Sequence, residues 1–292
     1  MDVIKKFLIM DGSALVTVAD TRALTERARK LHDLSPLATA ALGRTLTVAA
    51  FMSLKFKDKA AHLSITVDGG GPIGKITVCA GYGAQVRGFV ENPHVDLPLN
   101  AHGKLDVGGA VGHAGNIRCV TDLRLKEPYM GQSQLVTGEI SEDFAYYFTV
   151  SEQQPSAVAA GVLVNGKGVK AAGGVFIQPL PGCDDYKLTM LEDIATNFVN
   201  VSCLIDEHGV DGIIENYFSH LGMSDTEILF PRYKCVCGKR KIDALVNSLP
   251  EKEKAEILDE RGEIEVVCHF CNKVYRYGRE DVEDLKAKHK KK

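Results

Sequence analysis

The spacing of hydrophobic positions changes several times along the chain, and each change predicts a different element. Residues 3–18 form two apolar runs around Asp11-Gly12-Ser13, the pattern of a hairpin. Residues 21–31 read as a helix. Ser35-Pro36 supplies a capping hydroxyl followed by proline at the first helical position. The stretch after it is apolar nearly all round as far as Leu54, which predicts a buried helix. From His62 to about Val120 the pattern shifts to short β-rich runs, 63–67, 73–79 and 85–90, punctuated by glycine; an antiparallel meander is expected. Residues 139–151 read as a further helix, and Asn165-Gly166 as a hairpin turn between strands of small apolar residues. The expected fold class is α+β, with an N-terminal domain of antiparallel sheet and helix over residues 1–183.

The pattern then turns helical again. In residues 184–224, Leu188, Leu191, Ile194, Phe198 and Val199 recur at helix spacing, so one apolar stripe faces a partner surface while the other face is acidic. Charge marks the same break: residues 1–183 carry a net +2, residues 184–234 a net −7 and residues 235–292 a net +2. An acidic, amphipathic helical linker is therefore expected over 184–233, packed on the first domain, and a small C-terminal module over 234–292. Two helices, 242–248 and 251–259, are expected in that module, broken at Leu249-Pro250, and the lysine run 286–292 reads as a frayed, solvated end.

Composition narrows the functional classes. Hydrophobic and charged fractions of 45% and 25% are ordinary for a soluble globular chain, and a net charge of −3 makes no whole-chain case for nucleic acid. Only four apolar residues, 7–10, follow Lys5-Lys6, too few for a secretory signal. The apolar stretch 37–54 contains Arg44 and falls short of the ~20 residues of a membrane span. A cytoplasmic protein without membrane partners is expected, and there clustered cysteines are more often metal-binding or redox-active than structural disulfides.

Several stretches imitate catalytic motifs. Gly69-Gly-Gly-Pro-Ile-Gly74-Lys75 matches seven positions of a phosphate-binding loop, but Ile76 stands where a magnesium-binding hydroxyl belongs and a strand follows instead of a helix. A glycine-rich turn between strands explains it better, so no nucleotide is expected. Gly81-Tyr-Gly83 fails as a dinucleotide fingerprint at Val86. His94, His102 and His113 show no ligand spacing, and no strained Gly-x-Ser-x-Gly elbow occurs. No enzyme is expected. Cys79 sits within an apolar strand and reads as a buried free thiol; Cys119, Cys183 and Cys203 are dispersed and receive no role.

Cys235-Val-Cys237 and Cys268-His-Phe-Cys271 are different. Two tight pairs separated by a 30-residue insert supply four sulfur ligands, enough for one tetrahedral Zn²⁺ per chain. An iron–sulfur cluster would use the same donors. Each pair could also close as a local disulfide, which makes the site a candidate switch. Lys234, Lys239, Arg240, Lys241 and Lys273 lie close in sequence and would favour the thiolate, the species that attacks oxidants. A purely structural zinc site stays open as an alternative. So does a zinc-binding nucleic-acid factor, which the lysine tail favours and the module's small net charge opposes. A zinc hydrolase is disfavoured because four cysteines leave no open position for water.

These residues carry a resemblance. The Cys235-x-Cys237 pair, the helical insert and Val-Val-Cys268-His-Phe-Cys271-Asn-Lys-Val-Tyr275 resemble the C-terminal module of the redox-regulated thirty-three-kilodalton heat-shock chaperone family. The Ser35–Arg44 helix start, the acidic linker and the order of parts extend the resemblance over the whole chain. It implies an ATP-independent holdase that is inactive when reduced, with Zn²⁺ on Cys235, Cys237, Cys268 and Cys271. It further implies activation by oxidants through Cys235–Cys237 and Cys268–Cys271 disulfides, with loss of zinc and unfolding of the module and then the linker. Dimerisation and capture of unfolding or oxidatively damaged clients would follow. A linker stripe of Leu188, Leu191, Ile194 and Phe198 would be the candidate client-binding face.

Overall fold

A helix that is apolar on every side needs neighbours on every side, and the first 234 residues are arranged around one. In the computed structural model, which describes residues 1–289, the chain divides into two compact units, Met1–Lys234 and Cys235–Lys292. The first unit begins with the expected hairpin, β1 (Val3–Ile9) and β2 (Ala14–Asp20), followed by α1 (Arg22–His32) and α2 (Pro36–Ser53). The Ser35 hydroxyl accepts from the Ala38 amide at 3.1 Å, so the sequence cap is a physical one. Strands β3 (His62–Asp68), β4 (Ile76–Gly81) and β5 (Gln85–Val90), the short helix α3 (Val107–Val111), β6 (Asn116–Asp122) and β7 (Tyr129–Gln134) come next. After them run α4 (Ser141–Val150), β8 (Ala157–Asn165) and β9 (Gly168–Pro179).

Two sheets form. One has the order β10-β1-β2-β9-β8, with β10 at Glu227–Leu229. The other is β11-β5-β4-β3-β6-β7, with β11 at Arg232–Tyr233. Helix α2 lies between them, packed on β8 and β9 of the first sheet and on β4 and β5 of the second. Sixteen of its residues are buried, which is why no polar stripe was present to read. Strands of the second sheet alternate buried and half-buried positions because their outer face meets water. The first sheet is buried on both faces. Ala172 and Phe176 of β9 point to the α2 side, while Ala171, Val175 and Ile177 point to a second apolar cluster with α5 (Asp185–Thr196) and α6 (Val201–Tyr217).

Several expectations need correction. The strand placed at 73–79 starts at Ile76, because Ile73 lies in the glycine-rich loop with its amide on the Ala110 carbonyl at 3.0 Å. Cys79 is not buried. With a side-chain period of two, Val78 and Ala80 face the core and Cys79 faces outward, whereas Cys119 on β6 is wholly enclosed. The β8–β9 turn is centred on Gly166-Lys167, one residue later than expected. Asn165 precedes it and accepts the Lys167 amide on its side chain at 2.8 Å. The helical reading of 184–233 ends at Tyr217, and residues 227–233 are edge strands instead. Two edges needed covering, and helix periodicity carries no information about that.

The loop 69–75 is filled by protein. Its Gly71 amide donates to the Val111 carbonyl at 2.9 Å, and the Lys75 amide donates to Glu91 at 3.0 Å. The Gly71 and Lys75 amides are thus engaged within the protein. His94, His102 and His113 are exposed. Among the described residues no single helix is long and apolar enough to cross a membrane; only the pair α5 and α6, bent by 108°, passes by length and composition.

A charged cluster ties α1 to the β8–β9 turn. Glu26 accepts two hydrogen bonds from Arg29, each 2.8 Å, and one from the Val169 amide at 3.0 Å. The Arg29 guanidinium, ahead of that amide and Lys30, holds the Glu26 carboxyl well below its usual value, at about 2. A depressed carboxylate stabilises the fold above its unfolded pKa, and the contribution is lost as pH falls through the folded one. Glu26→Gln should therefore cost roughly 1–2 kcal/mol at pH 7, allowing for partial exposure. That difference from the parent should shrink toward zero near pH 2 when denaturation is followed across the range. A constant penalty at all pH values would mean packing, not charge, is what Glu26 contributes.

Candidate metal centre

In the second unit, Cys235 and Cys237 lie in the segment that leads into α7 (Lys239–Ser248). After α8 (Glu251–Arg261), the hairpin β12 (Ile264–Val267) and β13 (Val274–Tyr277) carries Cys268 and Cys271 in its turn, and α9 (Arg279–His289) closes the unit. The helix break at Leu249-Pro250 falls where expected. The lysine run does not fray at its start, since helix continues through His289; Lys290–Lys292 lie outside the described residues. Val267 pairs with Val274, and the turn they enclose is tightened by bonds from Cys271 and Asn272 amides to the Cys268 carbonyl, at 3.1 and 2.8 Å. Asn272 takes the left-handed conformation at φ 54°, which asparagine tolerates. Local hairpin geometry therefore aims two sulfurs the same way.

All four sulfurs lie within 4.8 Å of one another. Cys235 Sγ is 3.6 Å from Cys268 Sγ, and Cys237 Sγ is 3.4 Å from Cys271 Sγ. Four sulfurs bound at the usual ~2.3 Å around a tetrahedral Zn²⁺ would stand about 3.8 Å apart, so the set fits one such ion. The chemistry of the donors points the same way. Burial pushes the Cys235 and Cys271 thiols above their ordinary range, since low polarity penalises each charge. Burial also opposes ionisation of Cys237, yet the Tyr275 hydroxyl and the neighbouring thiols hydrogen-bond its sulfur and bring it to about 7. A bound cation would offset the burial that opposes charge on these sulfurs.

Tyr275 falls within the cysteine motif read from the sequence, where it is given no role. It stands on β13 with its hydroxyl donating to Cys237 Sγ at 3.4 Å. Two of the five cations expected near the sulfurs are engaged with aromatic rings: Lys239 lies over the Tyr277 ring and pairs with Asp243, and Lys273 lies over the ring of Tyr275. Thiolate bias at this centre thus comes from a hydroxyl and from the sulfurs themselves. Ile242, Val246, Leu258, Ile264, Tyr275, Tyr277, Val282 and Leu285 form a small core beneath.

The other candidate residues sit in the first unit. Leu191 and Phe198 are buried against the first sheet, with Ile194 half-buried beside them. Leu188 is half-buried, and Val199 is 79% exposed because the helix stops at Thr196 and the 108° bend turns it outward. The stripe is real but shorter than its spacing implied. Cys183 is half-buried and Cys203 exposed; the thiol of Cys119 is pushed up to about 12 by burial.

The sequence model of the Hsp33 protein family matches residues 2–278. Among curated relatives, the 33 kDa chaperonin of Clostridium perfringens is 40% identical over 287 residues, covering 97% of this chain and 90% of its own. That of Clostridium beijerinckii is 38% identical over 286 residues, covering 97% and 98%. The crystal structure of the 33 kDa chaperonin (heat shock protein 33 homologue) from Thermotoga maritima superposes with a TM-score of 0.90 at 37% identity, over 99% of both chains.

Proposed function

Since this chain belongs to the Hsp33 family of chaperones, we propose that it is a redox-regulated holdase that binds unfolding proteins without ATP and is held inactive by Zn²⁺ on Cys235, Cys237, Cys268 and Cys271. The observation that carries this reading is the set of four sulfurs within 4.8 Å, on a unit whose core holds eight buried apolar side chains among the described residues. Bound there, the ion would supply cross-linking of two distant chain segments and charge for the thiolates, and no chemistry of its own.

The cysteines supply the trigger. A thiolate attacks peroxide, taking one oxygen to become sulfenic acid while the other leaves as water. A neighbouring thiol then displaces that hydroxyl as a second water and forms the disulfide. Each pair consumes one peroxide, and a sulfur in a disulfide no longer carries the charge that binds a cation. In the folded unit sulfurs of different pairs stand 3.6 Å (Cys235 and Cys268) and 3.4 Å (Cys237 and Cys271) apart. Once the unit loosens, partners two and three residues apart stay close while those more than thirty apart separate, which favours Cys235–Cys237 and Cys268–Cys271.

Loss of the unit would release segment 184–233, a linker in this reading, and bare the face carrying Leu191, Ile194 and Phe198, with Leu188 at its margin. Dimerisation of the oxidised form would bury part of what is exposed. The Gly71, Ile73, Gly74 and Lys75 amides of loop 69–75 are already bonded to protein, which supports action without nucleotide. The thiol-rich centre and the family support a cytoplasmic location, with no role for nucleic acid or membrane.

The test is light scattering of a heat-unfolding enzyme with reduced protein and with peroxide-treated protein, while a dye reports zinc. Oxidised protein should suppress aggregation, with about one zinc released per chain, and reduced protein should not. Equal protection in both states would remove the switch.

A further inference from the structure

One short segment closes the edges of both sheets in the first unit. Ser224 begins it, donating its amide to the Leu8 carbonyl and accepting the Leu8 amide on its hydroxyl, each at 2.9 Å. Strand β10 then runs antiparallel to β1, setting Glu227 opposite Lys6, Ile228 opposite Lys5 and Leu229 opposite Ile4. Lys6 pairs with Glu227 at 3.2 Å, and Leu229 packs on the core beside buried Ile4. Past Pro231 the chain reaches the other sheet, where the Arg232 amide bonds to Ala84 and the Lys234 amide to Val86, at 3.1 and 2.8 Å. The Tyr233 hydroxyl donates to the Gly88 carbonyl at 2.9 Å. The next residue is Cys235, the first sulfur ligand.

This strap is thin. Its two strands have three and two residues, and Ile228 and Phe230 are 51% and 47% exposed. What it covers is not thin, for β1 spans seven residues and its other edge is fully paired to β2. A long strand edge with open amides and carbonyls is a template for another extended chain, and sheets normally keep such an edge covered. The strap itself shows which chain fits: an antiparallel one, with an aliphatic residue opposite Ile4 and an acid two positions earlier, opposite Lys6.

We propose that the β1 edge is a docking site for extended segments of unfolded polypeptide, vacated when residues 224–234 detach in the oxidised protein. The incoming segment adds to the first sheet as an antiparallel strand. Main-chain hydrogen bonds make the site tolerant of sequence, and the Lys6 and Ile4 positions give a preference for an acid followed two residues later by an aliphatic side chain. This rests on the redox reading above, since the strap must leave before a guest can enter.

The probe is a fluorescein-labelled peptide with the sequence of residues 224–234, followed by anisotropy with the full-length protein, reduced and peroxide-oxidised. Binding should be confined to oxidised protein. A peptide with proline in place of Ile228 and Leu229 should bind at least about tenfold more weakly, the effect of one or two lost ladder hydrogen bonds. Lys6→Glu should weaken the parent peptide and recover binding with the peptide carrying Glu227→Lys, a rescue that general stickiness would not give. Unchanged binding by the proline peptide would overturn strand addition, as would absence of peptide binding in a sample that has released its zinc and protects clients. A sample that does neither on oxidation would fail the redox reading instead.

Discussion

Removing the metal from reduced protein should unfold residues 235–289 and leave the two-sheet core of residues 1–183 folded. Among its described residues the second unit has eight buried apolar side chains under three helices and a hairpin of two four-residue strands, too little burial to offset the chain entropy of a piece that small. Coordination of one ion by the four sulfurs would join the segment before α7 to the β12–β13 turn, and such a site contributes on the order of 10–16 kcal/mol to folding. Its loss exceeds anything else the unit can lose. Hydrogen exchange after chelation should show protection vanishing from α7, α8, α9 and the β12–β13 hairpin, while amides of β9, paired on both sides in a sheet buried on both faces, stay protected. A second unit that keeps its protection, in a sample shown by elemental analysis to hold no metal, would leave oxidation without a way to unfold anything.

Phe198→Ala is expected to give a protein that holds clients without any oxidant. Phe198 is 2% exposed, stacked on Phe218 at 5.8 Å and set edge-on to Tyr217 at 5.1 Å, while Phe218 meets Phe7 of β1 at 5.8 Å. This aromatic chain is the centre of the cluster that fixes α5 and α6 to the first sheet. Truncating a buried phenylalanine costs about 3–5 kcal/mol, and at the junction of the two helices much of that falls on their docking. Reduced Phe198→Ala should retain one zinc per chain and yet suppress aggregation of a heat-unfolding enzyme, with lower protection of residues 185–217 in exchange. The outcome against it is a variant that is loosened there and still inert when reduced. Val199→Ala, one residue on and largely exposed, should change stability by less than about 0.5 kcal/mol and leave the switch alone.

The two expectations have different roots in the sequence. Cysteine spacing made the metal centre legible because a ligand set is a local property. Cys-x-Cys and Cys-x-x-Cys bring sulfurs together within a few residues, and no fold is needed to see that four of them suit one ion. The helical cover was legible only in outline. Leu191, Ile194 and Phe198 showed a stripe, but the stop at Thr196 and the bend beyond it, which turn Val199 to solvent, depend on the sheet that the helices wrap. The Lys239 and Lys273 positions misled for a related reason: nearness in sequence put cations beside the sulfurs, whereas Tyr277 and Tyr275 drew them onto ring faces.

Periodicity, capping and turn chemistry by themselves determined the N-terminal hairpin, the buried helix α2, the antiparallel strands and the break at Leu249-Pro250, because each is decided by side chains a few positions apart. Tertiary structure alone decided that α2 lies between two sheets, that Cys119 is enclosed while Cys79 faces out, that Tyr275 reaches Cys237, and that residues 227–233 cap two sheet edges. Those outcomes join residues that are distant along the chain. Which distant surfaces meet is set by how apolar area can be covered at once across the whole molecule, a quantity that no local window contains.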